Sequence, residues 1–216
     1  MKLLTITDLH GRQPVLERIL ARAGGCDALL FGGDITNFGS PIDAERLIKL
    51  AQAAVPAVFA VAGNCDSGEI DRRLVEMGVS LAGRGVMLGE IGIQGLSGMP
   101  PWKRGMYQFT EEELAAALEA GHAAIAAARH RIVLSHPPPR GARVDRTFLL
   151  KHVGSTSLRA FIERTQPPLV LCGHIHEGRG VEQIGKTTVV NCGEAAGGYY
   201  AVADVGDQIH AEIFRA

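Results

Sequence analysis

Five short stretches of the sequence end in side chains that can ligate a cation or move a proton. They read "DLH" at Asp8–His10, "GGD" ending at Asp34, "GNCD" at Gly63–Asp66, "SH" ending at His136, and "GHIH" at Gly173–His176. Between them they offer the carboxylates Asp8 and Asp34, the amide of Asn64, and the imidazoles of His10, His136, His174 and His176. Mixed oxygen and nitrogen donors suit Mn, Fe, Zn or Ni better than Ca, and no thiolate cluster is needed. Seven such donors are too many for one ion and about right for two. In extended chain, residues i and i+2 point to one side, so Asp8/His10 and His174/His176 each read as a ligand pair presented by a strand end. The four-residue spacing of a helical HExxH site is absent.

Each stretch follows an apolar run. Leu3–Thr7, Ala28–Phe31, Ala57–Ala62, Arg131–Leu134 and Leu169–Cys172 read as short buried strands ending in polar or Gly-rich punctuation. Between the first runs lie the helical patterns Gln13–Ala23, Ile42–Ala54 and Glu69–Met77, with Pro41 placed where a missing N–H costs nothing. Thr110 with Glu113 forms a capping box for an Ala-rich helix, and a further helix is expected over Ser155–Arg164. In an open α/β sheet, strand ends on one edge meet at one crevice, so these elements would gather the donors in one place. The C-terminal part reads as strands Val181–Ile184, Thr187–Asn191, Tyr200–Val205 and Gln208–Phe214, whose short Gly-containing turns point to hairpins. The pattern predicts an α/β core with either a mixed sheet or a second sheet.

The chain has 216 residues, which fits one domain over 1–216 with a core needing neither disulfide nor structural metal to fold. The formal net charge of −1, with no basic run, argues against a general grip on nucleic acid or on a membrane. No window reaches the ~20 apolar residues of a membrane span, and "MKLLTITDLHG" lacks the features of a signal peptide. Scattered cysteines without CxxC spacing fit a cytoplasmic protein with reduced thiols.

The ordered set "DLH", "GGDIT", "GNCD", "SHPPP" and "GHIHEG" resembles the signature of the calcineurin-like metallophosphoesterases, over Asp8 to His176. Its length and its Cys65 make it similar to the small bacterial and archaeal phosphodiesterases of that superfamily. The resemblance implies an α/β fold built as a two-sheet β-sandwich flanked by helices in four layers, with two divalent metal ions at the strand ends. Carried over by motif, Asp8, His10 and His176 would hold one ion, and Asn64, His136 and His174 the other, with Asp34 bridging. Manganese heads the candidate ions, ahead of Fe, Zn or Ni. Two ions ~3.5–4 Å apart share and activate a water and clamp the phosphoryl oxygens, so the implied reaction is attack of a metal-bridging hydroxide on a small-molecule phosphoester.

Many relatives carry His where this chain has Cys65, and that histidine, oriented by the following Asp (here Asp66), is thought to protonate the leaving group. A thiol is a weak donor, and near two cations it would lose its proton. Cys65 therefore marks either a site short of its usual acid or a small apolar filler, and Asp66 either serves catalysis or only orders the loop. Arg12 either steadies a phosphate or is a solvated first-turn residue. The segment Gly95–Phe109, which carries Trp102, either walls the substrate pocket or forms a lid or dimer contact, and a homo-oligomer stays open. His122, His130, His152 and His210 fit no ligand pattern, and Cys26, Cys172 and Cys192 read as buried thiols. A diesterase is the favoured function, since a diester with a good leaving group tolerates a missing acid. A phosphomonoesterase and a non-catalytic scaffold are the alternatives, the scaffold predicting eroded ligands where none of the seven is missing.

Overall fold

A continuous apolar run is what a strand covered on both faces requires, and the first runs of this chain are covered in that way. The computed structural model describes residues 1–216. The first half contains β1 (Lys2–Ile6), α1 (Gln13–Ala23), β2 (Ala28–Gly32), α2 (Pro41–Ala54), β3 (Ala57–Val61), α3 (Gly68–Glu76), β4 (Gly85–Leu88) and β5 (Ile91–Leu96). Then follow α4 (Glu111–Ala124), β6 (His130–Ser135), α5 (Thr156–Thr165), β7 (Leu169–Cys172), β8 (Gly180–Ile184), β9 (Thr187–Asn191), β10 (Tyr199–Val205) and β11 (Ile209–Arg215).

Two mixed sheets result, ordered β11-β10-β1-β2-β3 and β4-β5-β6-β7-β9-β8. β1, β2 and β3 run parallel, as do β5, β6, β7 and β9, so these strands deliver their following loops to a common edge of each sheet. Strand alternation sorts the side chains between cores. Leu4, Ile6 and Phe31 face α1, α2 and α3 through Leu16, Ile19, Leu47, Ile48 and Leu74. Leu3, Leu30 and Val61 point the other way and meet Ile93, Leu134 and Leu171 of the second sheet. Val133 and Val170 in turn pack under Leu114, Leu118, Leu158 and Phe161 of α4 and α5. The order is helices, sheet, sheet, helices, the four-layer sandwich that the resemblance implied. No helix is long and apolar enough to cross a membrane.

The structure departs from the sequence expectations in three places. β4 and β5 were not anticipated, because "IGIQGL" has no apolar run and contains two glycines. Those glycines answer a packing need: a Cβ on Gly92 would come within 2.6 Å of Ile125, and one on Gly95 within 2.5 Å of Leu81. Gly95 and Leu96 thus belong to a strand, and the loop carrying Trp102 begins at Ser97. The C-terminal strands pair as hairpins at β8–β9 and β10–β11, yet β9 also runs parallel to β7, since β8 is displaced to the sheet edge. Cys172 and Cys192 are buried as expected, whereas Cys26 is only half-buried.

The two outer helices of the second sheet are clasped by one side chain. Glu111, the first residue of α4, accepts from Ser155 Oγ at 2.7 Å, Thr156 N at 2.8 Å and Ser157 N at 3.0 Å, all at the start of α5. A carboxylate there satisfies orphaned N–H groups and complements the helix dipole. Burial works against its ionisation, but the donors from Ser157, Ser155 and Thr156 outweigh it and hold Glu111 below the usual glutamate range. A depressed folded-state pKa contributes stability above the unfolded value, and that contribution disappears as pH falls through the folded one. Glu111→Gln is therefore expected to lower unfolding free energy by about 1–2 kcal/mol at neutral pH. Urea titrations should show the gap between wild type and variant closing below about pH 4. A gap that stays constant down to acid pH would rule out the charge as its source.

Candidate metal centre

The loops that leave the parallel strands are tied to one another by backbone hydrogen bonds. Asp8 N donates to Gly33 O at 3.0 Å, His10 N to Asp34 O at 2.9 Å, and Gly11 N to Ile35 O at 2.8 Å. Further round, His136 N reaches Leu96 O, Gly173 N reaches His136 O, and Ala196 N reaches Asp8 O. Gly63 has no room for a side chain, since a Cβ there would overlap the Asp34 carboxylate. Asp8, His10, Asp34 and His174 all adopt positive φ, between 49° and 69°. This corrects the expectation of extended i, i+2 pairs: these four candidate ligands sit in left-handed turns, which Asp and His tolerate better than most residues, and the inter-loop bonds hold the first loops there.

All seven expected donors come together. Ligating atoms of Asp8, His10 and His176 lie within 4.8 Å of one another, as do those of Asp8, Asp34 and His136. His136 Nε2 is 2.8 Å from Asn64 Oδ1 and 3.6 Å from Asp34 Oδ1, and the His136 and His174 rings are 5.1 Å apart between centroids. Asp34 Oδ2 is also 3.9 Å from His10 Nε2, so its two carboxylate oxygens face the His10 side and the His136 side of the group.

Whether these residues fit metal ions is answered by their unused atoms. Asp8 Oδ1, His10 Nδ1 and His174 Nε2 are buried without a hydrogen-bond partner, a costly state for polar atoms in a folded interior. His136 Nδ1 lies 3.0 Å from Gly32 O. A carbonyl can only accept, so Nδ1 carries the proton and Nε2 faces Asn64 Oδ1 with its lone pair. Two lone pairs at 2.8 Å call for a proton or a cation between them. The donor set fits divalent ions.

The electrostatics agree. Burial works against ionisation of Asp8, but the His176 imidazole, with Nε2 3.4 Å from Asp8 Oδ1 in a contact too poorly aligned to be a hydrogen bond, and the fields of His136 and His174 bring it down to about 2. The close Asp8 carboxylate in turn pushes His176 up to about 9. His174, nearly enclosed, is lowered to about 3 by burial and then by His136, which leaves it a neutral imidazole.

Asp66 sits behind the centre. Its carboxylate accepts from Thr36 Oγ1 at 2.8 Å, Thr36 N at 2.9 Å, Gly63 N at 2.9 Å and Ile35 N at 3.1 Å, stapling the Asp34 loop to the Asn64 loop. Cys65 N donates to Asp34 Oδ1 at 2.7 Å, and the Cys65 sulfur lies within 4.8 Å of the His10 and Asp34 donors. Burial, and next the Asp34 charge, push the thiol up, so the protein's own field acts against the thiolate that the sequence led us to expect. Arg12 is exposed on the turn into α1 and Trp102 is 56% exposed on its loop, so neither is packed into the cluster. That loop does wall the Asn64 side: Tyr107 N donates to Asn64 O at 3.0 Å, and Met106 Sδ is 3.7 Å from Asn64 Nδ2. Glu194, 3.7 Å from His176 Nδ1, was not singled out from the sequence. It follows the apolar run of β9, and the rule that found the other stretches would have found it there.

The family model for the calcineurin-like phosphoesterase superfamily domain matches residues 1–208. An uncharacterised protein of Methanocaldococcus jannaschii, MJ1162, is 34% identical over 198 residues, covering 88% of this chain and 87% of its own. The phosphodiesterase YfcE of Escherichia coli is 35% identical over 100 residues, which are 41% of this chain and 52% of that protein. Among solved structures, TT1561 of Thermus thermophilus superposes with a TM-score of 0.76 at 19% identity, covering 99% of this chain and 98% of that one.

A cation that binds the folded chain alone must stabilise it. With Mn²⁺ at a hundred times its dissociation constant, the gain is about 2.7 kcal/mol, or ~5–10 °C in Tm for a chain of this size. Asp34→Ala, which removes the carboxylate between His10 and His136, should lose most of that rise. Thermal melts of chelated and Mn²⁺-loaded protein check this, and an equal rise in the variant would place the ion elsewhere.

Proposed function

The chain belongs to the calcineurin-like phosphoesterase superfamily, and from that premise we propose that it is a metal-dependent phosphodiesterase acting through two divalent ions. The observation that carries the proposal is the buried, unpartnered donor atoms of Asp8, His10 and His174, the first two grouped with Asp34 and the third beside His136. Asp8, His10 and His176 would hold one ion, Asn64, His136 and His174 the other, and Asp34 both. When bound, such ions supply an activated water and positive charge against the phosphoryl oxygens. The protein's part is to fix the donors: Gly32 O sets the His136 tautomer, and Asp66 locks the two loops that carry Asp34 and Asn64.

The preference for diesters rests on what the site lacks. Cys65 occupies the place of an acid, yet a thiol is a weak proton donor and the thiolate that bound cations would favour cannot donate at all. A diester whose leaving group departs as a stable anion needs little protonation, so it is the substrate class such a site handles best. The relative YfcE is a phosphodiesterase by name, and this supports the same choice.

Asp34→Ala should abolish turnover while the circular dichroism of the fold is kept; near-normal turnover would end the two-ion proposal. Metal-loaded enzyme should prefer bis-aryl diesters to aryl monoesters, and the reverse preference would favour a phosphomonoesterase. Across diesters with graded leaving groups, the rate should fall steeply as the leaving group becomes more basic. Cys65→Ser should change this little. Cys65→His should flatten the slope by only about tenfold, less than the ~10²–10⁴ of an oriented acid, because Asp66 is already engaged by four donors. If Cys65→Ser lost both activity and bound metal, the thiol would be a ligand and not a vacated acid position.

A further inference from the structure

Of the eleven large hydrophobic side chains exposed on this molecule, five project from loops that leave the site edge of the sheets. Phe38 follows β2, Trp102 follows β5, and Phe148, Leu149 and Leu150 follow β6. The same strand ends carry Asp34 and His136 into the candidate centre. Phe148 and Leu149 are 87% and 77% exposed, the highest values among those eleven residues.

The Phe148 tip is built and not loose. Thr147 N donates to Lys151 O at 3.0 Å, Leu150 N to Thr147 O at 2.8 Å, and Arg146 bridges His152, closing a tight turn. Its base is tied by the buried Asp145 carboxylate, which accepts from Gly154 N at 2.7 Å, Gly141 N at 2.9 Å and Val153 N at 3.1 Å. Phe148 N donates to Glu177 Oε1 at 2.6 Å, which fixes the tip beside His176. Leu150 and Phe38 hold φ of 58° and 55°, a region that costs a bulky side chain roughly 1–2 kcal/mol. Three consecutive apolar residues are thus held out into water at some expense of backbone energy.

Arg143 and Arg146 line the same surface depression as Phe148 and Leu150. Arg140, Arg143, Arg146 and Lys151 are all exposed, and Lys103 and Arg104 directly follow Trp102. The nearby carboxylates of Glu177 and Glu182 accept from backbone N–H groups of Phe148, Arg143 and Val144 at the loop base. Apolar tips flanked by Lys and Arg match an anionic lipid surface, where the apolar groups enter the headgroup–acyl boundary and the cations meet the phosphates. A second copy of this chain is a poorer occupant, because a two-fold contact would set these arginines against their own duplicates. The net charge of −1 conceals the patch, since it sums over the whole chain.

We infer that the loop tips bearing Phe38, Trp102 and Phe148–Leu150 form a docking rim that seats this protein on an anionic phospholipid bilayer with the candidate centre facing the headgroups. Net charge and the lack of a basic run had pointed away from a membrane, and this proposal takes the opposite side. Docking stands apart from catalysis, while the substrate class it points to, a phosphoester carried on lipid, rests on the proposed function.

Trp102 is the only tryptophan of the chain and serves as a native probe. The full-length protein should sediment with phosphatidylcholine vesicles containing phosphatidylglycerol but not with phosphatidylcholine alone. Trp102 emission should shift to the blue on binding, and added salt should reverse both signals. Phe148→Ser/Leu149→Ser/Leu150→Ser, and separately Arg143→Gln/Arg146→Gln, should weaken vesicle binding by about tenfold or more. Hydrolysis of a soluble diester should be unchanged in these variants. Asp34→Ala should bind vesicles like wild type, so that loss of catalysis and loss of docking are told apart. Absence of sedimentation with anionic vesicles would overturn the proposal, as would undiminished binding by both variants. So would a dimer in gel filtration that the triple serine variant dissolves, since the rim would then be a contact between copies.

Discussion

Three carboxylates, Asp8, Asp34 and Asp66, are buried at one edge of the sandwich, exposed by 0%, 2% and 5% respectively, and the surrounding structure is arranged to make that burial tolerable. An ionised carboxylate taken from water without partners is strongly unfavourable. Asp66 is met by four donors from two loops, yet burial and then the Asp34 charge still push it up to about 6. For Asp8 the compensation is the adjacent His176, and Asp34 accepts the Cys65 amide. Lone pairs remain unengaged after these contacts are made, Asp8 Oδ1 among them. Divalent cations are the partners that such a residue of negative charge and unmatched acceptors favours.

The scaffold serves this constraint by bringing loops close enough to share hydrogen bonds. Parallel pairing places the ends of β1, β2 and β3 side by side, and those of β5, β6 and β7 likewise. Left-handed turns then fold Asp8, His10, Asp34 and His174 inward. That backbone state carries a cost that the surrounding contacts must offset, and the bonds from Asp8, His10 and Gly11 to the β2 loop supply those contacts. Asp66 belongs to the same system, which explains why it is engaged with backbone and not free to orient a neighbouring side chain.

The same edge presents a different character further out. Buried acids and imidazoles lie at its centre, while exposed apolar tips and arginines stand on the loops around it. Loops on a rigid sheet edge can diverge in this way because their bases are fixed by the strands while their tips face only solvent. The Asp145 clasp shows how such a base is made rigid with a single buried carboxylate.

By itself the sequence determined the local facts: apolar runs long enough for strands covered on both faces, capping boxes such as Thr110–Glu113, and chemically capable residues directly after those runs. From these an α/β core and the seven candidate donors could be read, since burial and capping are written in near neighbours, whereas the four-layer sandwich was implied only by the family resemblance. Only the tertiary structure decided that β4 and β5 complete the second sheet, because Gly92 and Gly95 answer to Ile125 and Leu81 and not to any periodicity of their own. It also decided that Asp34 lies between His10 and His136, that Asp66 is occupied, that Glu194 approaches His176, and that four of the candidate ligands sit in left-handed turns. Asp8 and His176, or Gly32 and His136, are more than a hundred residues apart in the chain and meet only through strand order and register. Strand order is set by how whole sheets pack, a property of many residues acting together that no short spacing in the sequence can specify.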